Sequence, residues 1–150
     1  TTLCCIDDVL PVLSPTTVAT LHEPRFHTRP DESFGGGDTA PFGRPLRVLE
    51  GDPAHPTLTY DEELTEGIDA GARSALAELT AAIEATHTSV ALRTGDLLVV
   101  DNTRCVHGRS PFPARFDGTD RWLQRAFVVP DLAPSAASRA GRVVTTRFAS

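Results

Sequence analysis

The chain has 150 residues, an apolar share of 40% and a charged share of 23%, the values of a globular domain and not of a disordered segment. A formal net charge of −6 argues against wholesale binding to a nucleic-acid backbone, which needs a basic face. No apolar run approaches the roughly eighteen residues of a membrane span, so neither nucleic acid nor membrane is expected as a partner.

Three cysteines are an odd number, and adjacent Cys4 and Cys5 are poorly placed for an ordinary bridge. Reduced thiols packed as small hydrophobes, in a cytoplasmic protein, are the expectation. All 14 cationic side chains are arginine, and the absence of methionine reads as a chain whose start lies upstream of Thr1.

"TTLCCI" opens the chain as a short β-type run. A helix from about Asp7 to Leu21 follows, with Asp7 and Asp8 suited to its first turn and Pro11 and Pro15 interrupting it. A strand edge at "EPRFHTRP" gives way to a glycine-rich loop around Gly35–Gly37. "LRVLEG" and "PTLTYDEEL" read as two strands joined by a turn at "GDPAHP". Residues 69–87 form the clearest helix: Ala72, Leu76, Leu79 and Ile83 make one apolar stripe, and Asp69 is placed to cap it. "SVALRTGDLLVVDN" is a β-rich run turning at "TGD", "RWLQRAFVV" a further strand, and "RAGRVVTTRFAS" a last one. Short strands between Pro/Gly turns, with helices to one side, predict a mainly β sandwich or jelly roll with flanking helices.

The strand "RWLQRAFVV" raises a question of charge. Side chains alternate along a strand, so Arg121, Leu123, Arg125, Phe127 and Val129 share a face, with the two arginines about 13 Å apart. A guanidinium on an inward face needs an anion, and its planar fork matches a carboxylate. The pair therefore reads either as two anion clamps, or as arginines paired with internal carboxylates, or as part of a solvated strand face. His107, after "LLVVDN", reads as a structural histidine or as one metal ligand at a sheet's mouth.

Taken together, "GDLLVVDNTRCVHGRSPFPARFDGTDRWLQR" closely resembles the C-terminal signature of the iron(II)/2-oxoglutarate-dependent oxygenases of the clavaminate synthase-like group, which includes hydroxylases of free arginine and asparagine. The similarity runs along nearly the whole chain and is dense from Gly95 to Arg125. It implies a double-stranded β-helix, or jelly-roll barrel, of which residues 1–150 would be the C-terminal part. It implies Fe(II), with 2-oxoglutarate and O₂ as co-substrates. By the same resemblance His107 matches a metal ligand, and Arg121 and Thr2 match residues that hold 2-oxoglutarate. Arg125 matches the contact to the substrate's carboxylate. Asp61, sharing a strand face with Thr59, matches the acidic contact to the substrate's polar end; as a residue alone it equally reads as an exposed aspartate opening a turn.

The chain departs from the pattern in one respect. The resemblance calls for two further metal ligands as His-x-Asp/Glu, and none of the five histidines is followed by an acid at that spacing. The site therefore needs a missing N-terminal half. The expected activity is β-carbon hydroxylation of a free polar L-amino acid, arginine-like or asparagine-like, in peptide-antibiotic or other secondary-metabolite biosynthesis. An oxygenase of the same superfamily acting on a non-amino-acid substrate, and a non-catalytic jelly-roll binding domain, are the alternatives.

Overall fold

The computed structural model describes residues 1–29, 42–109, 113–120, 122–131, 133, 136, 139–140 and 143–144. The loop around Gly35–Gly37 and Arg121 lie outside the described residues. The chain divides into two units, residues 1–110 and 111–150.

In the first unit, β1 (Thr2–Cys5) runs directly into α1 (Ile6–Val9). Asp7 and Asp8 occupy the first turn of α1, where acids favour the helix dipole. The expected single helix to Leu21 is broken into pieces: Pro11 falls in a 3₁₀ turn (Leu10–Val12), and α2 (Pro15–Leu21) begins afresh with Pro15 in its first turn. Ser14 caps α2, its hydroxyl accepting the Thr17 N–H at 3.2 Å.

The helix expected at 69–87 is α3 (Ala70–Thr86), and Asp69 caps it by accepting the Ala72 N–H at 2.9 Å. Ala72, Leu76 and Leu79 are buried as the stripe requires, while Ile83 is only partly buried. Ala75 and Ala82 are buried as well, so the apolar face is broader than the stripe. Glu78 ties α3 to α2: its carboxylate accepts from Ser14 N–H (2.6 Å), the Ser14 hydroxyl (3.1 Å) and the Thr17 hydroxyl (2.6 Å). These donors hold the Glu78 carboxyl below the usual carboxylate range. On another part of α3, the Thr80 hydroxyl meets the Tyr60 hydroxyl at 2.6 Å, and burial raises the Tyr60 phenol above its ordinary value.

The strands form small antiparallel sheets. β1 is the middle strand of three, between β6 (Thr88–Ser89) and β7 (Cys105–Gly108). β3 (Leu49–Glu50) and β4 (Thr57–Leu58) make the expected hairpin around "GDPAHP". β2 (Phe26–Thr28) pairs with β5 (Thr65–Gly67), an element the sequence did not signal. Its Gly67 stands opposite Phe26 and beneath the first turn of α3, where an added Cβ would lie 2.5 Å from Arg73 N and 2.7 Å from the Ala72 carbonyl carbon. Both obstacles are backbone, so Gly67→Ala must displace the helix. We expect a loss of about 1–3 kcal/mol in urea unfolding, the typical cost of overpacking; an unchanged midpoint would show that the helix can shift freely there.

Arg25 closes the other side of this junction. Its guanidinium makes a two-pronged contact with Asp69, Nε to Oδ2 at 2.9 Å and Nη2 to Oδ1 at 2.6 Å, and reaches Glu23 at 3.1 Å. Arg25 and the Ala72 amide hold the Asp69 carboxyl down at about 2. A depressed carboxylate adds stability that is fully present above the unfolded value of about 3.9 and is lost as pH falls through the folded one. Asp69→Asn is therefore expected to be less stable than the parent at neutral pH, with the gap closing between about pH 4 and pH 2. Urea midpoints measured across that range check it, and a gap independent of pH would assign the effect to the cap alone.

Two expected strands are absent among the described residues. Residues 90–100 make no strand beyond the single pairing of Val90 with Thr1, and Leu97 and Val99 are 87% and 83% exposed. In the second unit, residues 122–129 are likewise without regular structure, and the described residues of the C-terminal run are two short strands, β8 (Arg139–Ala140) and β9 (Val143–Val144), paired antiparallel. An apolar, β-prone run becomes a strand only when a neighbouring backbone accepts its hydrogen bonds. The mainly β expectation thus holds in part: among the described residues there are small antiparallel sheets and three α-helices. No helix among the described residues is long and apolar enough to cross a membrane.

Candidate active-site face

The turn "DNTR" sets the position of β7. Asp101 accepts the Thr103 N–H (2.9 Å) and hydroxyl (2.7 Å) on its side chain, and its carbonyl accepts from Arg104 N and Cys105 N. The Thr103 donors hold the Asp101 carboxyl below its ordinary value. Arg104, leaving the turn, pairs with Asp7 of α1 and donates to the Pro56 carbonyl at 3.3 Å. Its own carbonyl accepts the Ile6 N–H at 2.8 Å, which continues the β1–β7 ladder by one rung.

That rung fixes the register. In an antiparallel ladder hydrogen-bonded and non-bonded pairs alternate, so Cys5–Cys105 and Leu3–His107 are non-bonded pairs, with Cα atoms about 4.5 Å apart. Opposed residues share a face. Leu3, Cys5, Cys105 and His107 therefore line one face, and Thr1 joins them through its paired bonds with Val90 (3.0 and 2.8 Å). Thr2, Cys4, Val106 and Gly108 line the other, which packs toward α3: Cys4 is buried with its Sγ 3.2 Å from Thr86 Oγ1.

His107 is exposed, and its Nε2 lies 3.2 Å from the Asn102 side-chain oxygen. A neutral imidazole protonated on Nε2 donates there and leaves Nδ1 as a lone-pair donor. Asn102 was not singled out in the sequence, although an asparagine five residues before a candidate ligand, inside a turn, is a signal of ring orientation. As a donor set, one exposed imidazole suits one coordination position of Fe(II) and no more. Among the described residues no three His, Cys, Asp or Glu side chains converge as a metal site.

The other sequence-expected residues are distributed as follows. Thr2 points away from the His107 face: an added Cβ on Gly108 would lie 3.0 Å from Thr2 Oγ1, so the hydroxyl sits on the α3 side. Asp61 lies in the turn after β4 and not on a strand; its Oδ1 accepts the Glu63 and Leu64 amides at 3.0 and 3.1 Å. In the second unit, the Arg125 guanidinium stacks over the Phe127 ring at 4.9 Å, a cation–π contact between residues two apart. Trp122, Phe127 and Val128 are 85%, 72% and 92% exposed and Leu123 and Val129 39% and 54%, so the expected alternation of an inward and an outward face is not present in residues 122–129. Arg121 lies outside the described residues.

The three thiols are free. Cys4 is raised above the ordinary thiol value by burial, and Cys105 is pushed up to about 11 by burial and by the neighbouring Cys5 thiol.

Comparison with known proteins gives a consistent picture. Residues 17–127 match the family described as "Taurine catabolism dioxygenase TauD, TfdA family". The L-asparagine oxygenase of Streptomyces coelicolor is 46% identical over 135 residues, which is 90% of this chain and 40% of that one. The solved structure of asparagine oxygenase in complex with Fe(II), 2S,3S-3-hydroxyasparagine and succinate superposes with a TM-score of 0.88 at 43% identity, covering 95% of this chain and 44% of that one. The non-heme iron oxygenase OrfP in complex with Fe, succinate and (3S)-hydroxy-L-Arg superposes with a TM-score of 0.77 at 39% identity, covering 98% and 45%. The chain thus spans less than half the length of each of these relatives.

Proposed function

From a chain that belongs to the taurine catabolism dioxygenase TauD, TfdA family, we propose an Fe(II)/2-oxoglutarate-dependent hydroxylase of a free polar L-amino acid, acting at the β-carbon, in secondary-metabolite biosynthesis. The observation that carries it is the likeness of nearly the whole chain to iron oxygenase structures holding hydroxylated amino acids, with His107 exposed on one sheet face. The barrel would be a jelly roll completed by a segment upstream of Thr1 that brings the His-x-Asp/Glu ligands. Leu97 and Val99, now exposed, are apolar positions such a segment would cover. Free thiols suit a reducing, cytoplasmic setting.

Within that reading, His107 holds the iron together with two upstream ligands. Bound iron, with 2-oxoglutarate and O₂, supplies the oxidation, and 2-oxoglutarate leaves as succinate and CO₂. The protein's residues bind and aim. Arg121 clamps the far carboxylate of 2-oxoglutarate in a two-pronged contact. A threonine hydroxyl assists it, and the face assignment favours Thr1 over Thr2. Arg125 takes the α-carboxylate of the substrate, its plane fixed by the Phe127 ring. Asp61 keeps Oδ1 in its turn and would meet the substrate's polar end through Oδ2. A charged contact at each end of a substrate would remove the orientational freedom that otherwise slows such a step.

The test is succinate release by the full-length protein given Fe(II), 2-oxoglutarate and a panel of L-amino acids. Release stimulated by arginine-like or asparagine-like substrates, with a product one oxygen heavier, is expected. Stimulation only by sulfonates or other non-amino acids would overturn the substrate class, and no stimulated release at all would overturn the enzyme.

A further inference from the structure

Cys5 and Cys105 face one another across the β1–β7 ladder. The Ile6–Arg104 rung beside them makes theirs a non-hydrogen-bonded pair, the position where opposed side chains come closest, with Cα atoms about 4.5 Å apart. That spacing falls inside the Cα separations of about 4.4–6.8 Å that disulfides span. Both thiols are free and half-buried. Cys5 Sγ also lies 3.7 Å from Asp7 Oδ2. Cys4 is excluded as a partner of either, because it points to the opposite face and its Sγ engages Thr86.

We infer that Cys5 and Cys105 are a peroxide-oxidisable dithiol that closes to a disulfide inside the sheet carrying His107. The atoms balance in two steps. The sulfur of one cysteine attacks a peroxide oxygen and breaks the O–O bond, giving a sulfenic acid and, with hydrogen peroxide, one water. The second sulfur displaces that hydroxyl as a second water, forming the S–S bond. Two electrons leave the sulfur pair for the peroxide, and both thiol protons end in water. The link would pin β1 to β7 two residues from His107 on the same face, and an external dithiol would undo it. None of this depends on iron or on the oxygenase reading.

The experiment is peptide mapping of the purified protein after excess hydrogen peroxide, with a chelator present to suppress metal-driven damage. Mildly alkaline pH raises the reactive thiolate fraction. The protein is then denatured and alkylated before tryptic digestion. The expected product is the peptide ending at Arg25 linked to Cys105–Arg109, two hydrogens lighter than its parts, with Cys4 alkylated and the link lost on dithiothreitol treatment. Cys5 and Cys105 recovered as separate alkylated or over-oxidised peptides would overturn the inference, as would a link that uses Cys4. In Cys5→Ser the Cys105–Arg109 peptide should be recovered unlinked; a persisting link to Cys4 would count against the face assignment.

Discussion

His107→Ala in the full-length protein is expected to abolish iron binding and, with it, substrate-dependent succinate release. His107 is the exposed imidazole that the β1–β7 sheet carries on the Leu3 face. Removing one of three protein ligands should cost more than the roughly 10–100-fold in metal affinity typical of losing a ligand's hydrogen-bonding support. Metal content after anaerobic loading with Fe(II) reads the effect directly. The thermal midpoint should barely move, since an exposed ring held by a single 3.2 Å contact contributes little to packing. Unchanged iron with unchanged turnover would make His107 a structural partner of Asn102. A large fall in thermal midpoint would likewise count against the ligand role.

Arg121→Leu should be nearly as severe, through the co-substrate and not the metal. Truncating one member of a desolvated, hydrogen-bonded charge pair costs about 2–5 kcal/mol, which is roughly 30- to 4,000-fold in affinity for 2-oxoglutarate. Iron content should be retained, which separates this variant from His107→Ala. Arg121→Lys keeps the charge and loses the fork, so it should fall between the two. If the KM for 2-oxoglutarate is normal in Arg121→Leu, the carboxylate is held elsewhere and the strand pattern has been read from the wrong side.

Local chemistry made α3 legible. Asp69 and the Ala72–Leu76–Leu79 stripe announce their roles in the sequence, because caps and stripes are settled within one or two turns, whereas the restart of the chain at Ser14 and Pro15 was read as one interrupted helix. The hairpin of β3 and β4 was legible for the same reason. Pairing between distant segments was not. β5 is three residues ending in Gly67, and it exists because Phe26 lies opposite it and α3 lies above it. Residues 90–100 and 122–129 carry strand composition, yet composition does not supply a neighbour. The candidate site shows the same division. His107 was singled out by its motif, whereas the face of Thr2 depends on register against β7, and a shift of one residue reverses every side chain. Asp61 was placed on a strand from Thr59 onward, but its own side chain closes the next turn and ends the strand.

The chain holds one tyrosine and one tryptophan, and they fall in different units. Tyr60, hydrogen-bonded to Thr80 and partly desolvated, ionises at a higher pH than a free phenol, so an alkaline absorbance titration reports on the seating of α3. Trp122, 85% exposed, fluoresces as an indole in water and reports on its own surroundings. The molecule therefore carries two built-in optical probes, one per unit. If an upstream segment or a substrate covers Trp122, its emission should shift to the blue while the Tyr60 titration stays where it was.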